Sequence, residues 1–215
     1  MRTLFQSNTI PCFSVFGKLN MLYFFVSCSF LCVFLFIFSR LFPKLNGVEK
    51  KPISNNNSPK IKYDVFVSFR GEDIRDGFLS HLTEAFDVKK INAFVDDKLE
   101  KGEELWPSLV AAIGGSSISL IIFSPEYASS RWCLKELVTI LECKEKYGHT
   151  VIPVFYHVTP TDVRHQSSQG YKEAFSEHAR KRKSEVQLWR RVFEKSADLS
   201  GIESSKFRLA LSPHS

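Results

Sequence analysis

A doubly wound α/β domain, with a parallel sheet covered by helices on both faces, is the fold class predicted from Tyr63 onward. Two observations predict it, and a third separates it from the N-terminal segment. Short runs rich in β-branched and aromatic residues alternate with amphipathic stretches. Those runs are nearly continuous in apolar residues, as strands buried on both faces must be. The charge is also partitioned: residues 1–62 hold eight basic residues and one acidic, whereas the other 153 hold 21 and 22, so the formal charge of +6 belongs to the N-terminal segment. About 150 residues is the usual size of one domain with its own core.

Residues 1–20 flank an apolar stretch. Met21 to Phe38 (MLYFFVSCSFLCVFLFIF) is 18 residues without a charge, extended to Phe42 if Ser39 and Arg40 snorkel, and ten of the 20 phenylalanines fall in residues 1–42. That length suits a bilayer span. A cleaved signal peptide has a shorter apolar region and a small-residue cleavage site, and SRLFPKLNG offers none. Residues 21–42 are therefore expected to form a transmembrane signal anchor. Arg40, Lys44, Lys50 and Lys51 after Phe38 outweigh Arg2 and Lys18 ahead of Met21, which places the C-terminal part in the cytosol. Residues 43–62, with three consecutive asparagines and two prolines, are expected to be a flexible linker.

The predicted strands are YDVFVSF (63–69), INAFVDD (91–97), SISLIIFS (117–124) and TVIPVF (150–155). Helices are expected from about Asp73 to Val88, from about Glu104 to Ile113 and from about Ser130 to Tyr147, the last with Leu134, Leu137, Val138 and Leu141 at helical spacing. Gly114-Gly115 reads as a C-cap, and Ser129 or Ser130 as the N-cap before Trp132. The ARKRKSEVQLWRR run (179–191) reads as solvated helix with Trp189 packing inward. In such sheets a ligand sits beyond the carboxyl ends of the strands where the winding reverses, which points to the loops after 69, 97 and 124.

Several chemistries are excluded. No GxGxxG or GxxxxGK occurs, so neither a dinucleotide turn nor a Walker loop is present, and there is no GxSxG elbow. Cys12, Cys28, Cys32, Cys133 and Cys143 form no CxxC, and the six histidines show no ligand spacing, so neither disulfide framework nor metal site is expected. Cys133 reads as a small packing residue. The balanced charge of the globular part removes the footprint of a nucleic-acid-binding domain.

Four segments occur in a telling order: YDVFVSFRGED (63–73), FVDDKLEKGEEL (94–105), SSRWCLKEL (129–137) and VIPVFYHVTPTDVR (151–164). Together they resemble a plant TIR domain of the kind found at the N-terminus of intracellular immune receptors. The resemblance runs from Tyr63 to about Ser205, leaving 206–215 as a tail. It implies a flavodoxin-like, five-stranded parallel sheet of order 2-1-3-4-5 with five helices, homotypic self-association, and cleavage of NAD at the nicotinamide bond, with NAD as substrate and no cofactor. The catalytic carboxylate of the family maps to Glu136. Ser80 and His81 match a family self-association pair, and TIR domains of full-length receptors are implied as further partners. Gly114-Gly115 replaces an acidic residue usual near the end of the second helix, and the nucleotide-binding and leucine-rich-repeat domains of a full receptor do not follow here.

The residues themselves fit such chemistry. Trp132 and Glu136 are four apart and so share a helix face. Trp offers a surface for a planar base, and a carboxylate stabilises the oxocarbenium-like centre left when nicotinamide departs. By position alone, the better reading is Glu136 as a solvated residue paired with Lys135 or Lys144 and Trp132 as a core anchor; the resemblance reverses that order. Arg70-Gly71 follows the first strand, where Gly permits close backbone approach and Arg can meet pyrophosphate. Lys98 and Lys101, in a loop with seven charges in nine residues, are further phosphate candidates.

Overall fold

The computed structural model describes residues 60–95 and 103–205. Residues 21–42, most of the linker, Lys98, Lys101 and the tail, for which expectations were stated above, lie outside them. Five parallel strands form one sheet in the order β2-β1-β3-β4-β5: β1 (Tyr63–Ser68), β2 (Ala93–Val95), β3 (Ser116–Phe123), β4 (Thr150–Phe155) and β5 (Ile202–Glu203).

The period of two divides the strands between two cores. Val65, Val67, Ile118, Leu120, Ile122, Ile152 and Val154 face one side, where Ile74, Phe78, Leu82 and Phe86 cover them. Phe66, Ile121, Phe123, Val151 and Phe155 face the other, under Leu109, Ile113, Leu134, Leu137, Ile140, Phe175 and Phe193. The first cover is α1 (Gly71–Ile74), a π-helical turn (Arg75–Leu79) and α2 (Ser80–Val88). The second is built from α3 (Trp106–Gly114), α4 (Arg131–Tyr147), α5 (Pro160–His165), α6 (Gln169–Lys181) and α7 (Lys183–Ala197).

Several expectations change. The first helix begins at Gly71, two residues early, because the Asp73 amide already bonds the Arg70 carbonyl at 3.2 Å. Ile91 and Asn92 precede β2 as a connection: the Ile91 amide bonds the Phe86 carbonyl at 2.9 Å, closing the end of α2. Gly115 stands at the C-cap of α3 with φ −87°, so it is not a left-handed cap. Glycine is needed there for closeness, since a Cβ would lie 2.9 Å from the Ala111 carbonyl oxygen, and the Gly115 carbonyl accepts the amides of Lys62 and Tyr63 at 2.7 and 3.0 Å. Gly148, with φ 74°, is the left-handed cap, and it ends α4. Ser130, not Ser129, caps α4 by accepting the Cys133 amide at 3.3 Å. The 179–191 run divides between α6 and α7 at Arg182 (φ −146°, ψ 55°), while Trp189 does pack inward against His178, 5.0 Å between ring centres.

Candidate active site

The winding reverses between β1 and β3, so their carboxyl ends bound the crevice where α/β sheets bind ligands. Ser68, the last residue of β1, points to the same side as Phe66, toward α4. Its hydroxyl donates to the Glu136 Oε2 at 2.7 Å. The second hydrogen bond at Ser68 Oγ, 2.8 Å to the Tyr127 hydroxyl, then takes its proton from tyrosine, because serine has one proton to give. The order is Tyr127 to Ser68 to Glu136, and all three side chains are 0–1% exposed. Burial, with Cys133 and Glu136 nearby, pushes the Tyr127 phenol well above its ordinary range, so tyrosine stays the donor. The Tyr127 hydroxyl also lies 3.2 Å from the Cys133 carbonyl. Cys133 itself is buried and donates its thiol to the Phe69 carbonyl at 3.3 Å, the packing role expected of it.

Glu136 is thus no solvated helix residue: α4 carries it inward, onto the end of β1. Trp132, one turn earlier, is half-buried and turns toward Trp106 of α3, 5.7 Å between ring centres at 46°. Lys135 Nζ stands 4.1 Å from the Trp106 ring centre and 4.6 Å from that of Trp132, so Lys135 belongs to this aromatic pair.

A second polar group binds the two sides of the crevice. The Asp73 carboxylate accepts from the Ser124 hydroxyl beyond β3, from the Glu126 amide at 3.2 Å and from Arg70 Nη1 at 2.5 Å. Arg70 also pairs with Glu72, so its guanidinium is folded back onto the start of α1. Gly71 admits the Arg75 side chain, whose Nη2 would lie 2.6 Å from an added Cβ. Ser80 is exposed and His81 half-buried at the start of α2, on the other face of the sheet from Glu136. Sequence reasoning missed Ser68, Tyr127, Asp73 and Ser124. A serine closing an otherwise apolar strand was the one available signal.

Residues 62–211 match the family model described as the TIR domain. The chain belongs to the TIR domain family. Disease resistance protein RPV1 of Vitis rotundifolia is 45% identical over 152 residues, 69% of this chain and 11% of its own length. TMV resistance protein N of Nicotiana glutinosa is 47% identical over 152 residues, 69% of this chain and 13% of its own. The chain therefore spans about an eighth of the length of these relatives, their TIR part. Among solved structures, the TIR domains of the activated Roq1 resistosome, which directly recognizes the pathogen effector XopQ, superpose with a TM-score of 0.60 at 41% identity, covering 70% of this chain and 97% of that one. This plant TIR domain thus carries the sheet order expected of it, with flanking helices that number seven among the described residues where five were implied.

Proposed function

We propose that this TIR domain cleaves NAD at the nicotinamide-ribose bond when self-associated, as a step in plant immune signalling. The observation that carries the reading is the Glu136 carboxylate held by Ser68 at the carboxyl end of β1, beside the reversal in winding. As the bond breaks, its electron pair leaves with nicotinamide and positive charge grows on the ribose. A fixed carboxylate stabilises that charge, and water then adds at the same carbon with loss of a proton. Trp132, one helical turn before Glu136, supplies an aromatic surface, and Arg70 would meet phosphate once it releases Glu72 and Asp73.

At 1% exposure Glu136 is closed to substrate in the isolated chain, so turnover requires a rearrangement. Self-association through the surface carrying Ser80 and His81 supplies it, and the Roq1 TIR domains, seen in a resistosome, support such assembly. Residues 21–42 anchor the chain in a membrane with the TIR domain in the cytosol, which raises its local concentration.

The burial of Glu136 also favours a second reading, a non-catalytic adaptor that recruits full-length receptors through TIR contacts and keeps the carboxylate for packing. Nicotinamide release by the full chain, measured against protein concentration, separates the two. Release that rises with oligomer formation supports the enzyme; assembly without release leaves the adaptor.

A further inference from the structure

We propose that one corner of the domain, formed by Lys60, Ile61, Lys62 and Val88, Lys89, Lys90, lies against an anionic phospholipid surface. The inference rests on the membrane-anchor reading and goes beyond it, by giving the domain a fixed face toward the bilayer.

The two segments form one patch. Asn92 Nδ2 donates to the Lys62 carbonyl at 2.9 Å, the Asp64 amide donates to the Asn92 carbonyl at 2.8 Å, and the Asn92 amide donates to the Asp64 carboxylate at 2.9 Å. Ile61 is 50% exposed and Val88 70%, the two most exposed large aliphatic side chains among the described residues. Lysines stand on both sides of Ile61 and follow Val88, with Asp64 and Asp87 as the neighbouring acids. Cations at a helix C-terminus complement its dipole, which accounts for Lys89 and Lys90. It does not account for the bare Val88, or for Lys-Ile-Lys ahead of β1. Aliphatic side chains ringed by long cationic ones suit the headgroup boundary, where the aliphatic groups enter and the ammonium groups meet phosphate.

The chain indicates the occupant. Seventeen residues, 43–59, separate Phe42 from Lys60, and whatever their conformation they span at most about 60 Å. Four more cations, Arg40, Lys44, Lys50 and Lys51, lie beside or within that interval. A protein partner would more often meet aromatic side chains than isolated aliphatics among lysines. The corner also sits at the amino end of the sheet, because Lys62 enters β1 and Lys90 leads back toward β2. Glu136 and Ser68 sit at the carboxyl end. Docking by this corner turns the crevice toward the cytosol, open to substrate and to other TIR domains.

Amine acetylation of the full chain reconstituted in vesicles, quantified residue by residue, tests this. In phosphatidylcholine vesicles carrying about 30% phosphatidylserine, Lys60, Lys62 and Lys90 are expected to label at least about threefold more slowly than in phosphatidylcholine alone, relative to the exposed Lys172 and Lys183. About 1 M salt, with a Debye length of about 3 Å, should remove most of the protection. Ile61→Ser with Val88→Ser should weaken it at low salt. Equal labelling in both vesicles by a chain that still floats with them overturns the docking and leaves the anchor standing. A chain that floats with neither overturns the anchor, and the docking with it.

Discussion

Glu136→Gln separates charge from shape at the proposed catalytic position. Glutamine keeps an oxygen that can accept the Ser68 hydroxyl, now 2.7 Å from the carboxylate, but removes the negative charge. A hydrogen bond to a charged acceptor contributes about 1.5–3 kcal/mol and a neutral one about 0.5–1.5, so the stability loss should be about 1 kcal/mol. For a domain of this size that lowers the Tm by roughly 3–4 °C. Removal of one preorganised charged group from the transition state costs on the order of a hundredfold in rate, about 2.7 kcal/mol. The catalytic loss should therefore exceed the structural one and persist well below the Tm. The assay is nicotinamide release by wild type and variant at matched oligomer state, beside thermal melts of both. Ser68→Ala is the companion: it leaves the charge in place but frees its orientation, so about a tenfold loss is expected, with the Tyr127 hydroxyl left to the Cys133 carbonyl. Wild-type release by Glu136→Gln would remove the enzymatic role. A melt lowered by more than about 10 °C would show that the charge serves the fold.

Trp132→Ala removes the partner of Trp106 and one ring from Lys135, so it should both raise KM in the NAD assay and cost about 2 kcal/mol in denaturant unfolding. His81→Ala should weaken oligomer formation by light scattering and lower NAD turnover at limiting protein while leaving the Tm unchanged within a degree or two; unchanged assembly and turnover would remove this surface from the self-association interface. Carbonate extraction and protease protection should find the chain in the membrane fraction with its TIR domain accessible from the cytosolic side. The Asp162 carboxyl is held below its usual range, chiefly by the Thr159 hydroxyl in the capping box of α5. Its contribution is thus complete above an unfolded pKa near about 4 and disappears as pH falls through the lower folded value, so Asp162→Asn should cost about 1 kcal/mol at neutral pH and much less in strong acid.

The sheet's centre was legible because burial on both faces leaves β1, β3 and β4 as apolar runs, each located to within a residue. Its margins were not. β5 is two residues, fixed by pairing Val154 with Ile202 and Phe155 with Glu203, and no periodicity exists over so short a piece. The π turn at Arg75–Leu79 was also invisible, since Ile74, Phe78, Leu79 and Leu82 read equally well as one helical stripe. At the site, Glu136 and Trp132 were found by resemblance to a family motif. The Tyr127 and Ser68 partners were not, because residues 59 and 68 positions away along the chain meet only through the tertiary fold. For the same reason the spacing of Trp132 and Glu136 said which helix they share and not that one turns toward α3 while the other enters the core.

The sheet margins also bear on strand-to-strand pairing between copies. A chain held at a membrane and assembling through its own copies, as proposed above, would be exposed to pairing strand to strand. Among the described residues the outermost strands are three and two residues long, a short template for a ladder. Pro153, in β4 just before the residues that pair with β5, has no amide to offer an incoming strand. Gly201 lies so close to it that a Cβ would come within 2.7 Å of the Pro153 carbonyl oxygen. Short margins of this kind would leave any proposed contact between copies to helical and loop surfaces.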